Sequence, residues 1–318
     1  MDERAIRGVP WTLVTFGSTK VISLLTTVVL ARLLVPEDFG LFALATLATL
    51  FLTIFRDLGM GSVLILRQDY DRRSQATVVT MMFAMGFLAA GLVVALSPLA
   101  ALAFDEPRLA GVLAALSLTL VFGGVAWSYD VIMQRVLAFR PRFVAQMTQS
   151  LAYTIVAVAL AVAGAGVWSL VGGAIAGGVA ASVAFLVMAP YRLPLAFDRG
   201  VARDALRSGR GFIGQGVLAL VRQNTDYLVI GRLLGSRPLG LYTLAYRFGE
   251  LPYVGIADPV GKVLFPAFSQ MRQEGGDIAA AFLGAQRMVA LFTCPLGVIL
   301  SAVAEPFVEA ILGSKWIG

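Results

Sequence analysis

Apolar residues fill most of the chain in long runs, broken by short polar stretches, and the runs are too long for surface helices or strands. A helix needs about 20 predominantly apolar residues to cross a bilayer. Nine stretches reach that length, approximately over residues 10–34, 40–66, 76–104, 109–133, 144–163, 167–189, 211–234, 239–267 and 285–312. The connections are short, so successive helices are expected to be antiparallel neighbours. Strands facing lipid are excluded, because each backbone group must be satisfied within its own segment. The pattern predicts an all-α polytopic membrane protein. The first run carries Lys20 and closes on no small-residue cleavage site, so it reads as an uncleaved first membrane helix.

Composition agrees and removes several kinds of chemistry. The chain is 58% hydrophobic and 14% charged, where soluble domains run near 45–50% and about 25%. It has no histidine, so the commonest general base near neutral pH is missing, as are histidine-dependent metal sites. The single Cys294 lies in an apolar stretch and reads as a buried small hydrophobe. The longest loop, over residues 190–210, is too short for a catalytic domain. No metal, no cofactor and no enzymatic activity are expected.

Fifteen Lys and Arg residues fall in the loops on the side of the N-terminus and five in the loops opposite, with five more inside helices. A threefold bias places the N-terminus in the cytoplasm. It also accounts for the net charge of +6: the arginines set topology and meet anionic lipid, and no nucleic acid is required.

The chain also repeats itself. Residues 29–45 and 229–245 are identical at eight of seventeen positions, including Arg32/Arg232, Leu33/Leu233, Gly40/Gly240 and Leu41/Leu241. Six predicted helices separate the copies. Six is even, so both copies cross in the same sense, as in a parallel repeat about the membrane normal. The reading is a two-lobe helical bundle with parallel six-helix repeats: residues 1–195 form the first lobe, 196–210 a basic cytoplasmic linker, and 211–318 a second lobe of three helices. A symmetric protein would need about three more, so the second lobe reads as incomplete.

Four segments carry a resemblance. RLLVPEDFGLFALA (residues 32–45), DYLVIGRLLGSRPLGLYTLAYRFGELP (226–252), VLFPAFSQMR (263–272) and LGSKW (312–316) resemble the bacterial polysaccharide and lipopolysaccharide O-antigen flippases. These belong to the multidrug, oligosaccharidyl-lipid and polysaccharide exporter superfamily. The resemblance implies about twelve to fourteen helices in two lobes around a central cavity. It implies export of a polyprenyl-pyrophosphate-linked oligosaccharide across the bacterial inner membrane by alternating access. The partners implied are the lipid-linked glycan, membrane lipids, and the polysaccharide polymerase and assembly proteins.

Ionisable residues inside a membrane are costly and mark candidate sites. Lys20, Arg56, Arg222, Arg247 and Lys262 are the basic ones, and a pyrophosphate headgroup needs desolvated cations that bind its oxygens. Arg222/Asp226, Arg247/Glu250 and Asp258/Lys262 are spaced to meet on one helix face, so the same charges also suit simple mutual neutralisation. With no histidine, ion coupling would fall to Asp226, Glu250 and Asp258. Their basic neighbours oppose the raised pKa a proton relay needs. Pro252 and Pro259 make the eighth helix a candidate hinge, although kinks are ordinary in membrane helices.

Three motifs carry less. Gly209, Gly211 and Gly214 spell G-x-G-x-x-G without the strand a dinucleotide site requires. Asp69 and Asp71 form a D-x-D in a short loop. The tract at residues 172–182 suits close helix packing, and Trp11, Trp168 and Trp316 read as interfacial anchors. The alternatives to a flippase are a drug/cation antiporter of the same superfamily and a non-transporting scaffold of a glycan assembly complex.

Overall fold

The computed structural model describes residues 3–67, 70–273 and 276–317. Its elements are α1 (Glu3–Leu33), α2 (Pro36–Asp57), α3 (Met60–Leu66), α4 (Arg72–Ala103), α5 (Arg108–Leu116), α6 (Leu118–Arg135), α7 (Phe139–Val162), α8 (Val167–Met188), α9 (Arg199–Leu233), α10 (Ser236–Gly249), α11 (Asp258–Gln273), α12 (Ile278–Ala302) and α13 (Ala304–Phe307). Among the described residues there is no strand. Seven stretches are long and apolar enough to cross a membrane: Val14–Leu33 within α1, then α2, α4, α5 with α6, α7, α8 and α12. This is a multi-pass helical membrane protein. The two further crossings that hydropathy predicts fall on α9 and on α10–α11, which are helical but diluted by polar and charged residues.

Local signals set the boundaries. Pro36 is the first residue of α2, where its missing N–H costs nothing. Asp71, Asp198 and Asp277 cap α4, α9 and α12, accepting bonds from Ser74 N (2.8 Å), Gly200 N (2.8 Å) and Ala280 N (3.0 Å). The predicted helix over 40–66 is two helices, because Leu58 (φ 47°) and Gly59 (φ 72°) turn left-handed between α2 and α3. Asp57 Oδ1 stabilises the break, accepting from Gly61 N (3.1 Å) and Trp127 Nε1 (3.0 Å). A π turn, Tyr253–Ala257, follows Pro252 directly and separates α10 from α11.

The chain forms two compact units, Met1–Gly240 and Leu241–Gly318. The first unit has two apolar clusters. One joins α3, α4 and α6 through Met60, Leu64, Met82 and Ile132; the other joins α2, α5, α6 and α8 through Leu41, Leu113, Leu120 and Val171. Lipid tails are as apolar as these side chains, so close van der Waals fit and interhelical polar contacts hold the helices together. The small-residue tract supplies that fit: a Cβ on Gly173 would stand 2.7 Å from Ala157 Cβ, drawing α8 onto α7. Ser182 Oγ donates to the Phe122 carbonyl (2.7 Å), and the Thr26 and Thr154 hydroxyls share a hydrogen bond (2.7 Å).

In the second unit, Phe248, Leu300, Phe307 and Trp316 line an apolar cavity of about 350 Å³. Trp316 is buried there, where an anchor at the membrane surface is expected. Cys294 corrects its expectation in the other direction: it is exposed. Within this unit α12 packs on α11, α13 and the π turn, which leaves most of its circumference open.

Candidate functional site

Three of the predicted cavity cations lie in the first unit. Lys20 is half-buried on α1 and Arg222 is exposed on α9. Arg56 lies across α6, and a Cβ on Gly123 would come within 2.6 Å of its Nη1. Its neighbour Asp57 is already committed to Gly61 and Trp127. No hydrogen bond or ion pair joins Lys20, Arg56 or Arg222 to any described residue, and none links them to one another. Asp226 is half-buried on α9, and Glu250 and Asp258 are half-buried on either side of the π turn. Arg247 is half-buried on α10, in the second unit. The side chains of Lys262 and Pro259, and residue Asp69, lie outside the described residues.

Between α1 and α7 lies a pocket of about 200 Å³ lined by Trp11, Thr15, Thr19, Phe139, Arg142 and Gln146. Arg142 is anchored there by Asp130, with Nε–Oδ1 at 2.6 Å and Nη2–Oδ2 at 3.1 Å. Gln134 Nε2 donates to the same carboxylate at 2.7 Å. Arg140 stacks on the Trp11 ring at 5.0 Å. The pocket thus joins a fixed guanidinium, hydroxyls and aromatic walls.

At the membrane face where α1 begins, the α3–α4 turn is tied to the start of α9. The Arg67 guanidinium pairs with Asp204, and Tyr70 Oη donates to Asp204 Oδ2 at 2.8 Å. Burial, then the hydrogen bond to Asp204, raises the Tyr70 pKa above the ordinary phenol value, so it stays a donor. Arg135 donates to the Leu64 carbonyl (2.8 Å) and the Tyr70 carbonyl (3.2 Å). Gly209 is a packing glycine: a Cβ there would overlap the Leu58 carbonyl at the α2–α3 break.

At the opposite face the two copies of the sequence repeat touch. A Cβ on Gly40 would overlap the Ser236 carbonyl, 2.6 Å from its carbon, and a Cβ on Gly240 would overlap the Pro36 carbonyl, also 2.6 Å from its carbon. The contact is reciprocal, each partner lying 200 positions from its equivalent. Arg237 Nη1 faces Glu37 Oε1 at 3.4 Å, again an equivalent pair. Ser236 Oγ donates to Glu106 Oε2 at 3.4 Å. The bond from Arg108 holds the Glu106 carboxyl below the usual carboxylate range.

Sequence reasoning passed over Asp130–Arg142, Arg67–Asp204 and Glu37–Arg237. Both of the first two join residues on different elements, Arg67 and Asp204 far apart in sequence, and no local pattern marks them. The third was legible: the repeat alignment places opposite charges at positions 37 and 237.

Comparison with known proteins gives this arrangement its context. The chain is 28% identical over 314 residues to the succinoglycan biosynthesis transport protein ExoT of Rhizobium meliloti, covering 98% of this chain and 63% of that protein. It is 25% identical to the teichuronic acid biosynthesis protein TuaB of Bacillus subtilis, covering 100% and 66%. It is 24% identical to the lipopolysaccharide biosynthesis protein WzxC of Escherichia coli, covering 99% and 65%. The chain thus spans just under two thirds of the length of these relatives. No solved structure matches it. Residues 29–318 match the family described as Polysaccharide biosynthesis protein, and the chain belongs to that family.

Proposed function

We propose that the protein moves a polyprenyl-pyrophosphate-linked oligosaccharide, a precursor of surface polysaccharide, across the bacterial inner membrane, and that it is a transporter rather than an enzyme. The observation that carries this reading is the family match over residues 29–318, together with a relative named as a transport protein of succinoglycan biosynthesis. The multi-pass helical architecture supports it. So do Lys20, Arg56 and Arg222, which make no hydrogen bond or ion pair to a described residue. Such charges are costly in a dry membrane and suit a hydrated path that accepts a pyrophosphate.

In this reading residues 1–195 and 211–318 belong to two lobes related by a parallel repeat and joined by the linker at 196–210. The N-terminus and the basic loops lie in the cytoplasm. Reciprocal contact between Gly40 and Gly240 supports the repeat. It also suggests the mechanism: the lobes meet at the outer face, and export requires that contact to part as the inner side closes. Lys20, Arg56, Arg222, Arg247 and Lys262 receive the headgroup, while the polyprenyl tail stays in lipid. Asp226, Glu250 and Asp258 are the groups available for ion coupling. The π turn behind Pro252 gives the hinge its slack, because backbone groups freed there need a polar surrounding; Pro259 is the second hinge position.

Leaflet-resolved flipping in proteoliposomes tests the proposal. A fluorescent polyprenyl-pyrophosphate oligosaccharide is offered to this chain, to a version completed with a full second lobe, and to Lys20→Ala/Arg56→Ala in that version. Flipping by the completed protein, with at least about a tenfold loss in the double variant, is expected, since two charge-assisted contacts contribute about 1.5–3 kcal/mol each. Failure of the completed protein under an imposed ion gradient, or flipping untouched by the substitutions, would overturn the reading.

A further inference from the structure

The segment between α8 and α9 carries a surface to which the proposed function assigns no role. The chain leaves its sixth apolar stretch at Met188 and runs without regular structure to Asp198. The segment does not hang free. Ala196 N donates to Thr80 Oγ1 on α4 (3.2 Å), and Tyr191 Oη donates to Gln75 Oε1 (2.7 Å). It is therefore pinned at the level of the first turns of α4, where a membrane-crossing stretch begins. Leu195 and Phe197 are exposed on it.

The first turns of α9 continue that surface. Arg199, Arg203 and Arg207 recur every four residues, so they form one stripe. All three are exposed, and none has a hydrogen bond or ion pair to a described residue. Asp204 is turned away to Arg67 and Tyr70, so the nearby acid does not neutralise the stripe. With Phe197, Ala202 and Leu206 the three arginines surround one open concavity of about 470 Å³.

We infer that this surface docks anionic phospholipid headgroups at the basic face of the membrane. Charge selects a phosphate-bearing partner, and guanidinium groups match phosphate oxygens bidentately. The apolar side chains decide the source. A soluble anion needs only the arginines, whereas a lipid also offers glycerol and acyl carbon to Leu195, Phe197 and Leu206. A basic stripe edged by exposed apolar residues, on a segment pinned beside the start of a crossing helix, is an arrangement that lies in an interface. The docked lipid would hold the start of α9 at a fixed depth.

The test is a binding titration of the full chain in neutral detergent, by microscale thermophoresis, with phosphatidylglycerol, phosphatidylcholine and inorganic pyrophosphate. Each basic residue near an anionic surface is worth a factor of about five. Phosphatidylglycerol is therefore expected to bind at least about tenfold tighter than phosphatidylcholine. Arg199→Gln/Arg203→Gln/Arg207→Gln should remove that preference, and the corresponding triple lysine variant should keep most of it. Phe197→Ser should weaken phosphatidylglycerol binding severalfold, and pyrophosphate should not displace it. Equal binding of the two lipids would overturn the inference, as would a preference that survives the triple glutamine change. Full displacement by pyrophosphate would also overturn it and reassign the stripe to a soluble phosphate. Phe197→Ser and the pyrophosphate arm stand even if the triple glutamine variant fails to fold.

Discussion

The two ends of the first unit are held by different physics. At the end where the repeat copies meet, main chain touches main chain: Gly40 lies on the Ser236 carbonyl and Gly240 on the Pro36 carbonyl. Around them Arg237–Glu37 is a loose, partly exposed pair at 3.4 Å, while Asp38 is buried. At the basic end Gly209 likewise lies on the Leu58 carbonyl, but polar side chains add the joints that the other end lacks. Arg67, Tyr70 and Asp204 tie α9 to the α3–α4 turn, and Asp130 holds Arg142 with its own side chain only 7% exposed. A contact made by the absence of side chains can part without stranding a charge. A buried ion pair cannot, because each separated charge faces a large desolvation cost. By this argument the glycine contact is the more easily separated of the two, and Asp130–Arg142 is a fixed strut.

The sharpest way to break that comparison is at the strut. Asp130→Ala leaves Arg142, 28% exposed, as an uncompensated charge beside the α1–α7 pocket, and loss of about 3–5 kcal/mol of stability is expected. Thermal unfolding of the purified protein checks it. A midpoint within a degree or two of the parent would show that the pair is not a strut. Gly40→Ala comes next. The new methyl group cannot share space with the Ser236 carbonyl, so the copies must separate or the helices shift, at about 1–3 kcal/mol. The expected signature is asymmetric: Glu37→Cys and Arg237→Cys should cross-link readily in the parent background and poorly once Gly40→Ala is added. Gly91→Ala is the control, since a Cβ there meets nothing within 4 Å. Unchanged cross-linking in the Gly40→Ala background would mean that the glycine contact does not set the separation.

This contrast was partly legible in the sequence. Long apolar runs and cap residues determine most of the helices, because a membrane leaves the backbone little choice. The repeat already aligned Gly40 with Gly240, though an alignment cannot say that two equivalent residues touch. Hydropathy carried straight through Leu58 and Gly59, since an apolar run has no means of showing a left-handed turn between two helices. Spacing on one helix offers Arg222 to Asp226, but spacing alone does not choose the rotamer of a long exposed side chain. The strut is out of reach of the sequence: Asp130 and Arg142 lie on successive helices, and helix spacing pairs residues only along one helix.

At the basic end the weaker joint is Arg67–Asp204, where both side chains are 43% exposed. Water screens such a pair, so Asp204→Asn is expected to cost no more than about 1 kcal/mol. The change should show as faster proteolysis within residues 190–210, since Asp204 is also the acceptor for Tyr70. A cost near that of Asp130→Ala would erase the distinction between strut and joint.

The smallest expected effect belongs to Glu37–Arg237. Arg237 is 64% exposed and Glu37 30%, and an exposed pair contributes about 0–1 kcal/mol. A double-mutant cycle with Glu37→Gln and Arg237→Gln, read by thermal unfolding, should give a coupling at the low end of that range. Its pH dependence sharpens the point, because Glu106 bonds Ser236 in the same junction. The Glu106 pKa is depressed, chiefly by its bond to Arg108. A depressed carboxylate stabilises the folded state above its unfolded pKa, and that contribution is lost only as pH falls through the lower folded value. The junction should therefore hold steady from neutral pH down to about 4, near the ordinary carboxylate range, and weaken only below it. Loosening already at mildly acid pH, read by the Glu37→Cys/Arg237→Cys cross-link, would show that charge rather than glycine contact keeps this end closed.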